Sequence, residues 1–408
     1  MKGGAAYVVP LFLNLEENNM DIRVLAEKHH DYIIDRRRYY HQHPELSFKE
    51  WETTKALKAD LEAMGLEIQT FEDYPGLVAT LDTGKPGKTI MLRSDIDALP
   101  VEEGTGLPFA SENQGVMHAC GHDAHMGMLL GAAKILAEVK DQLRGKVKFL
   151  LQSGEEMACG AQYYVDHNVL DGVDAIFGLH IWGTVKAPLI CVDEGKRMAS
   201  CDNFTISVRG LQTHGSSPHL GHDAILAASA VVVALQSFVS RVNDPVNPLV
   251  VSVGKFHGGN MYNIICNDVE LVGTIRTFSR ELRGELAAKL SKIAESTAEA
   301  YGCTAEFTLD PKLPAVINDN PELNQLAKEA ALKLYGEEGL THMDSLMGSE
   351  DYSLFMEKVP GFFGFIGAKN EEKGIVYSNH HEKFTVDEDS LERGAALAAQ
   401  FAADFLNK

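Results

Sequence analysis

FTISVRG, residues 204–210, is where the pattern of the chain changes and the fold is decided. From it onward come a long Ala/Val-rich helical stretch (222–241), LVVSVGKF (249–256), DVELVGTIRTF (268–278), a second helical stretch (280–301) and TAEFTLD (304–310). Strand, helix, strand, strand, helix, strand is the ferredoxin-like order, complete here in about 110 residues. The sequence therefore predicts a small unit over 199–311, inserted into a larger one made of 20–198 and 312–408.

The larger unit reads differently. LVATL (77–81) and TIMLRSD (89–95) flank the turn at 83–87. A helix over about 123–140 follows, then KVKFLLQS (146–153), a helix near 160–170 and DAIFGLH (174–180). After the insertion come a helix near 321–335, GFFGFIGA (361–368) and a C-terminal helix. Continuous apolar strands separated by helices predict an α/β fold with a mixed sheet covered on both faces. Ahead of it, one helix opens at Met20 with Ile22, Leu25 and Ile33 among its apolar positions. A second is predicted from Ser47, capped by its hydroxyl with Glu50 reaching back, and stopped at Gly65. The run Arg36-Arg37-Arg38 is consecutive, so it spreads around its helix and is expected on a solvated surface.

Bulk composition narrows the function. A chain of 408 residues exceeds what one core usually supports, which agrees with two units. Its net charge of −21 repels phosphate backbones and anionic lipid, which argues against nucleic acid and membrane surfaces as partners. Six cysteines (120, 159, 191, 201, 266, 303) without a CxxC pair do not make a disulfide framework, and a reducing cytoplasm fits best. The apolar patch near the start is broken by Pro10 and falls well short of the ~20 residues needed to span a bilayer. No small-residue cleavage site follows it, so residues 1–19 are expected to be a dispensable extension.

Polar residues collect at strand ends. Asp95 closes TIMLRSD, Glu155 and Glu156 follow KVKFLLQSG, His180 closes DAIFGLH, and His380 with His381 follow GFFGFIGA. That edge is where open α/β sheets place their ligands. In HACGHDAHM (118–126), Cys120 and His122 are spaced so that two loop ligands converge on one ion, although alone they could be a small buried hydrophobe and a helix cap. A thiolate, imidazoles and carboxylates suit zinc and also accept cobalt, nickel or manganese. In the adjacent Glu155-Glu156 pair the side chains point different ways, so one can ligate while the other serves as general base. His214, in the Gly/Ser-rich loop 210–218, and Arg276, on the strand 268–278, are not singled out by spacing.

These motifs, in this order, resemble the M20 family of metallopeptidases and amidohydrolases, closest to its hippurate hydrolase, N-acyl-amino-acid amidohydrolase and auxin-conjugate hydrolase branch. The resemblance rests on HQHPELSFKEWETT, RSDIDALPVEE, MHACGHDAHM, GEEMACGA, GLHIW, THGSSPH, the 263–276 segment, MGSEDYSLF and HHEKFTVDED, and covers nearly the whole chain after Met20. It implies a catalytic domain interrupted by a ferredoxin-like dimerisation domain, and two divalent ions (Zn, Mn, Co or Ni). Cys120 bridges them, with His122 and His180 on one and Glu156 and His380 on the other. It further implies cleavage of N-acyl amino acids or related conjugates by a metal-bound water, with Glu155 as the base. His214, reaching into a partner subunit's site, polarises the carbonyl, and Asn263 and Arg276 hold the substrate. The expected assembly is a homodimer or higher homo-oligomer.

Three departures stand out. Ser153-Gly154 replaces the family's common Pro-Ala before the glutamate pair, and His380-His381-Glu382 replaces His-His-Pro or His-Ser-Pro; counting back from Phe384 favours His380 as ligand and keeps His381 as the weaker candidate. Arg93 stands where many M20 peptidases place a ligating histidine, which makes Asp95 a residue that orients a neighbour. Competing readings are a dipeptidase or aminoacylase of the same fold, a non-catalytic metal or ligand binder, and a hydrolase with Cys120 as nucleophile. Glu155 argues against the binder, which has no need of a base.

Overall fold

The computed structural model describes residues 21–408, so the N-terminal apolar patch and the expected extension at 1–19 lie outside the described residues. A seven-stranded mixed sheet runs in the order Glu67–Thr70, Gly76–Asp82, Lys146–Gln152, Thr89–Asp95, Ala175–Lys186, Gly361–Lys369, Ile190–Cys191. The four strands from Lys146–Gln152 to Gly361–Lys369 are mutually parallel; both flanks add antiparallel pairs.

Alternation along the strands builds two cores. Leu77, Ala79, Ile90, Leu92, Val147 and Phe149 face one side, where helices Ile22–Lys28, His122–Glu138 and Asp389–Asn407 contribute Ala26, Ala132 and Phe401. Val78, Met91, Leu150 and Ile176 face the other side, with Tyr164 and Phe355. Burial on both faces is why these strands are unbroken apolar runs. Helix His122–Glu138 is buried nearly all round and carries no hydrophilic stripe.

Residues from Cys201 onward form a second, antiparallel sheet in the order Leu249–Gly258, Asp268–Thr277, Cys201–Arg209, Thr304–Leu313. Helices Ala224–Ser237 and Arg280–Glu299 pack on one face of it, and Phe204, Ile206, Val231, Leu271 and Leu290 make a core separate from those of the large sheet. Along Cys201–Arg209 every second residue is buried, as expected for a sheet with one covered face.

Several local expectations fail, each because a tertiary partner outcompetes a local one. The N-terminal helix is two, Ile22–Lys28 and His30–Gln42, with His29 at the break bonded to Glu138 (2.8 Å). The capping box at Ser47 does not form: the helix is Trp51–Ala63, the Ser47 hydroxyl donates to Asp97 (2.7 Å), and Glu50 turns inward. The strand begun by DAIFGLH continues to Lys186, so His180 lies mid-strand.

The arginine run is not a uniformly solvated surface. Arg37 is 1% exposed and donates to Asp123 (2.6 Å) and Glu388 (3.2 Å), whereas Arg36 and Arg38 stay partly solvated. Arg37→Ala leaves Asp123 buried beside a cavity and is expected to lower the unfolding free energy by about 3 kcal/mol, read from denaturant midpoints. Arg38→Ala is expected to cost less than about 1 kcal/mol in the same measurement.

Candidate metal centre

Cys120 ends a loop that turns into helix His122–Glu138 through Gly121, whose φ of 96° is left-handed and where a Cβ would come 2.5 Å from Ile181. A side chain at 121 is thus excluded twice, and the turn sets Cys120 and His122 side by side. Glu155 and Glu156 sit in one short helical turn, Glu155–Met157, bracketed by left-handed Gly154 and Ala158. His180 projects from its parallel strand. His380 comes from the loop after Gly361–Lys369, held by its N–H to Ala119 O (2.7 Å) and by neighbouring Asn379, which bonds Cys120 O (2.8 Å) and Gly183 N (2.8 Å).

Two groups of potential ligand atoms share Cys120: Cys120 with His122 and His180, and Cys120 with Glu156 and His380. The thiol sulfur lies 3.6 Å from His180 Nε2 and 3.3 Å from His380 Nε2, and Glu156 Oε1 lies 3.5 Å from His380 Nε2. His122 Nδ1 donates to Asp97 O (2.9 Å) and His180 Nδ1 to Ile181 O (2.7 Å), which leaves both Nε2 atoms facing the cluster. His122 Nε2 and Glu156 Oε1 are buried and have no hydrogen-bond partner. Orphaned buried polar atoms are costly, and a divalent ion that displaces the imidazole proton would partner both, so the residues fit divalent ions.

Burial, then Glu156, Glu155 and Asp95, push the Cys120 thiol well above its ordinary range. Burial, then Glu350 and Glu156, raise the Glu155 carboxyl well above its own. For His122 burial disfavours charge, but Asp95 and Asp97 outweigh it and raise the imidazole to about 10, so a metal ion has to displace the proton on its Nε2. Burial and His125 keep His180 well below its usual value, hence neutral and able to ligate. The cluster holds more latent negative charge than it neutralises, and a dication relieves that.

Asp95 gives one oxygen to His125 Nδ1 (2.5 Å) and the other to Arg93 (2.9 Å), while His125 Nε2 accepts from Ile181 N (2.8 Å). Arg93 also pairs with Glu350 (2.9 Å) and Asp351 (3.1 Å). His381 is turned away, stacked on Tyr377 at 4.3 Å. His118 is buried with both ring nitrogens unpartnered and belongs to neither ligand group.

The residues from the small unit are not brought to the cluster within one chain. His214 is exposed on a two-stranded ribbon and Asn263 is exposed just before its second strand, with Gly215 N donating to Asn263 O (2.7 Å), and neither hydrogen-bonds a ligand candidate. Arg276 donates to Met347 O (3.2 Å) and Ser349 Oγ (3.3 Å), just before Glu350.

Sequence reading passed over Asp97, Glu50, Glu350, Asp351 and Asn379. Asp97 had a signal, since it repeats Asp95 two residues on. It accepts from Glu156 N (3.0 Å) as well as bonding His122. Asp97→Ala is expected to weaken metal affinity by about 10–100-fold in a chelator competition. Glu50 is buried, and burial with Asp97 pushes its carboxyl up to about 8.

Comparison with known proteins supplies the lineage. Residues 91–404 match the model of Peptidase family M20/M25/M40. The chain is 40% identical to N-acetylcysteine deacetylase of Bacillus subtilis over 92% of this chain and 96% of that one. It is 38% identical to thermostable carboxypeptidase 1 of Saccharolobus solfataricus, over 97% and 99%. A solved dinuclear metal binding peptidase of the M20 family from Bacillus subtilis superposes with a TM-score of 0.83 at 36% identity, over 93% and 99%. With a cysteine shared by two groups of potential ligands beside a buried glutamate, the chain belongs to Peptidase family M20/M25/M40 and is a metal-dependent amidohydrolase.

Proposed function

We propose that this chain holds two divalent ions and hydrolyses the amide bond of N-acyl amino acids or related amino-acid conjugates. The observation that carries this is Cys120 shared between two ligand groups, with Glu155 buried alongside. Cys120, His122 and His180 hold one ion; Cys120, Glu156 and His380 hold the other. When bound, the ions acidify water and polarise the amide carbonyl. Glu155 takes the proton of the attacking water and returns it to the leaving amine nitrogen. His214, supplied by a second copy, donates to the carbonyl oxygen as it gains charge. Asn263 and Arg276 hold the substrate, the guanidinium facing its carboxylate.

The boundaries at 198/199 and 311/312 and the role of the inserted unit in a homodimer belong to the same proposal. Helix Ala224–Val242 is long and apolar enough to cross a membrane by length and composition, with mean hydropathy 1.8. Its Ala227, Ala228, Val231 and Leu235 pack into the small core, while Ile225, Leu226 and Val233 point outward beside the edge strand Leu249–Gly258. An outward apolar face next to an open strand edge suits a second copy. All six cysteines are free, which supports a reducing cytoplasm.

The test is a substrate panel of acetylated, hippurate-like and indole-acyl amino acids, with dipeptides beside them, after chelation and addition of zinc, manganese, cobalt or nickel. Faster turnover of peptides with a free amino group overturns the N-acyl assignment, and activity that survives chelation overturns metal chemistry in favour of a Cys120 nucleophile. Metal binding without hydrolysis of any member leaves a binder.

A further inference from the structure

The turn carrying Glu155 and Glu156 is only three residues long, flanked by two left-handed residues, and so has little intrinsic rigidity. Besides Ser153 N to Tyr164 OH (3.0 Å) and Gly160 N to Gly154 O (3.2 Å), the contacts that hold it involve residues 45–50. That loop is pinned to the strand-end segment by Ala98 N to Glu45 O (2.8 Å) and by the Ser47 hydroxyl to Asp97 Oδ2 (2.7 Å). The same Asp97 oxygen accepts from Glu156 N (3.0 Å). From the other side, the Ser153 hydroxyl lies 2.8 Å from each Glu50 oxygen and Gly154 N donates to Glu50 Oε1 (3.1 Å). Glu50 and Ser153 are both fully buried. Phe48, itself left-handed at φ 65°, lays its ring against Gly154 so closely that a Cβ there would stand 2.2 Å away.

We propose that Glu50 and Ser153 form a clamp that sets where the Glu155 and Glu156 carboxylates point, with Glu50 a positioning residue for amide hydrolysis. This rests on the reading of Glu155 as the base. Serine at 153 brings a hydroxyl that only a buried acceptor such as Glu50 satisfies, and the pair ties the turn to a loop already bonded to Asp97. Misplacing a base by about 1 Å costs on the order of 100-fold in rate.

Glu50→Ala, Glu50→Gln and Ser153→Ala are to be compared in the full-length protein, with kcat and KM measured separately on the best acyl amino acid. Amide hydrogen exchange of residues 154–157 is followed in the chelated protein. Glu50→Ala is expected to lower kcat at least about 10-fold with KM within about 2-fold, and to speed exchange at 154–157 by a similar factor, leaving exchange in helix His122–Glu138 unchanged. Glu50→Gln keeps an acceptor for Gly154 N and a donor for Ser153, and is expected to recover most of both; Ser153→Ala is expected to fall between. Unchanged kcat and exchange in folded Glu50→Ala, or acceleration spread evenly over the protein that Glu50→Gln does not repair, overturns the clamp. If Glu50→Ala does not fold, wild-type kcat and exchange in Ser153→Ala overturn it. Should Glu155→Gln turn out active, the base assignment falls, while the exchange data still decide the clamp.

Discussion

Glu155→Gln is expected to reduce kcat by about 10³-fold or more, at the upper part of the range for loss of a general base, while bound metal stays at the wild-type stoichiometry. The side chain keeps its volume, and of the two glutamates only Glu156 groups with Cys120 and His380, although Glu155 also lies near His122 and Glu156. What is lost is the carboxylate that burial, Glu350 and Glu156 make unusually proton-hungry. Elemental analysis and steady-state kinetics on one preparation separate the two properties. A variant that turns over at normal rate excludes Glu155 as the base, and one that loses metal makes it a ligand.

His214→Ala is expected to lower kcat by about 10²–10³-fold, the usual cost of removing one donor to a developing oxyanion, again without loss of metal. The larger effect appears on mixing. In a heterodimer of His214→Ala and Glu155→Gln chains, one site carries both defects and the other has Glu155 from one chain and His214 from its mate. Random reassortment of equal amounts makes half the dimers mixed, so about a quarter of wild-type activity is expected to return for a two-fold assembly with shared sites. No recovery, with heterodimers demonstrated by mass, overturns the shared site. The exposed placement of His214 and Asn263, out of hydrogen-bonding reach of the ligand candidates of their own chain, is what motivates the mixture.

Much of the fold was legible because period and burial leave a one-dimensional trace. The runs 89–95 and 146–153 are apolar without alternation since both faces of their strands are covered. The β-α-β-β-α-β order of the second sheet was visible because its strands alternate and its helices are long. Misreadings came where a short polar motif has two uses. Ser47 and Glu50 match a capping box, yet buried partners at Asp97 and Ser153 offer a drier and stronger bond than a solvent-facing helix end. Arg37 sits in a run of like charges and is nonetheless buried, because Asp123 and Glu388 arrive from segments far along the chain.

By itself, the sequence determined which chemistry the chain could hold: a thiol, three imidazoles and paired carboxylates, each at the end of an apolar run or within one, in an order that carries its family. Residue type and local periodicity suffice for that, since they set side-chain chemistry and the face on which it emerges. Only the tertiary structure decided which of them meet. Whether Cys120 faces both His180 and His380, which nitrogen of His122 remains free, and what restrains Glu155 depend on contacts between segments tens to hundreds of residues apart. Hydrogen-bond geometry acts over a few ångströms and leaves no periodic mark along a chain.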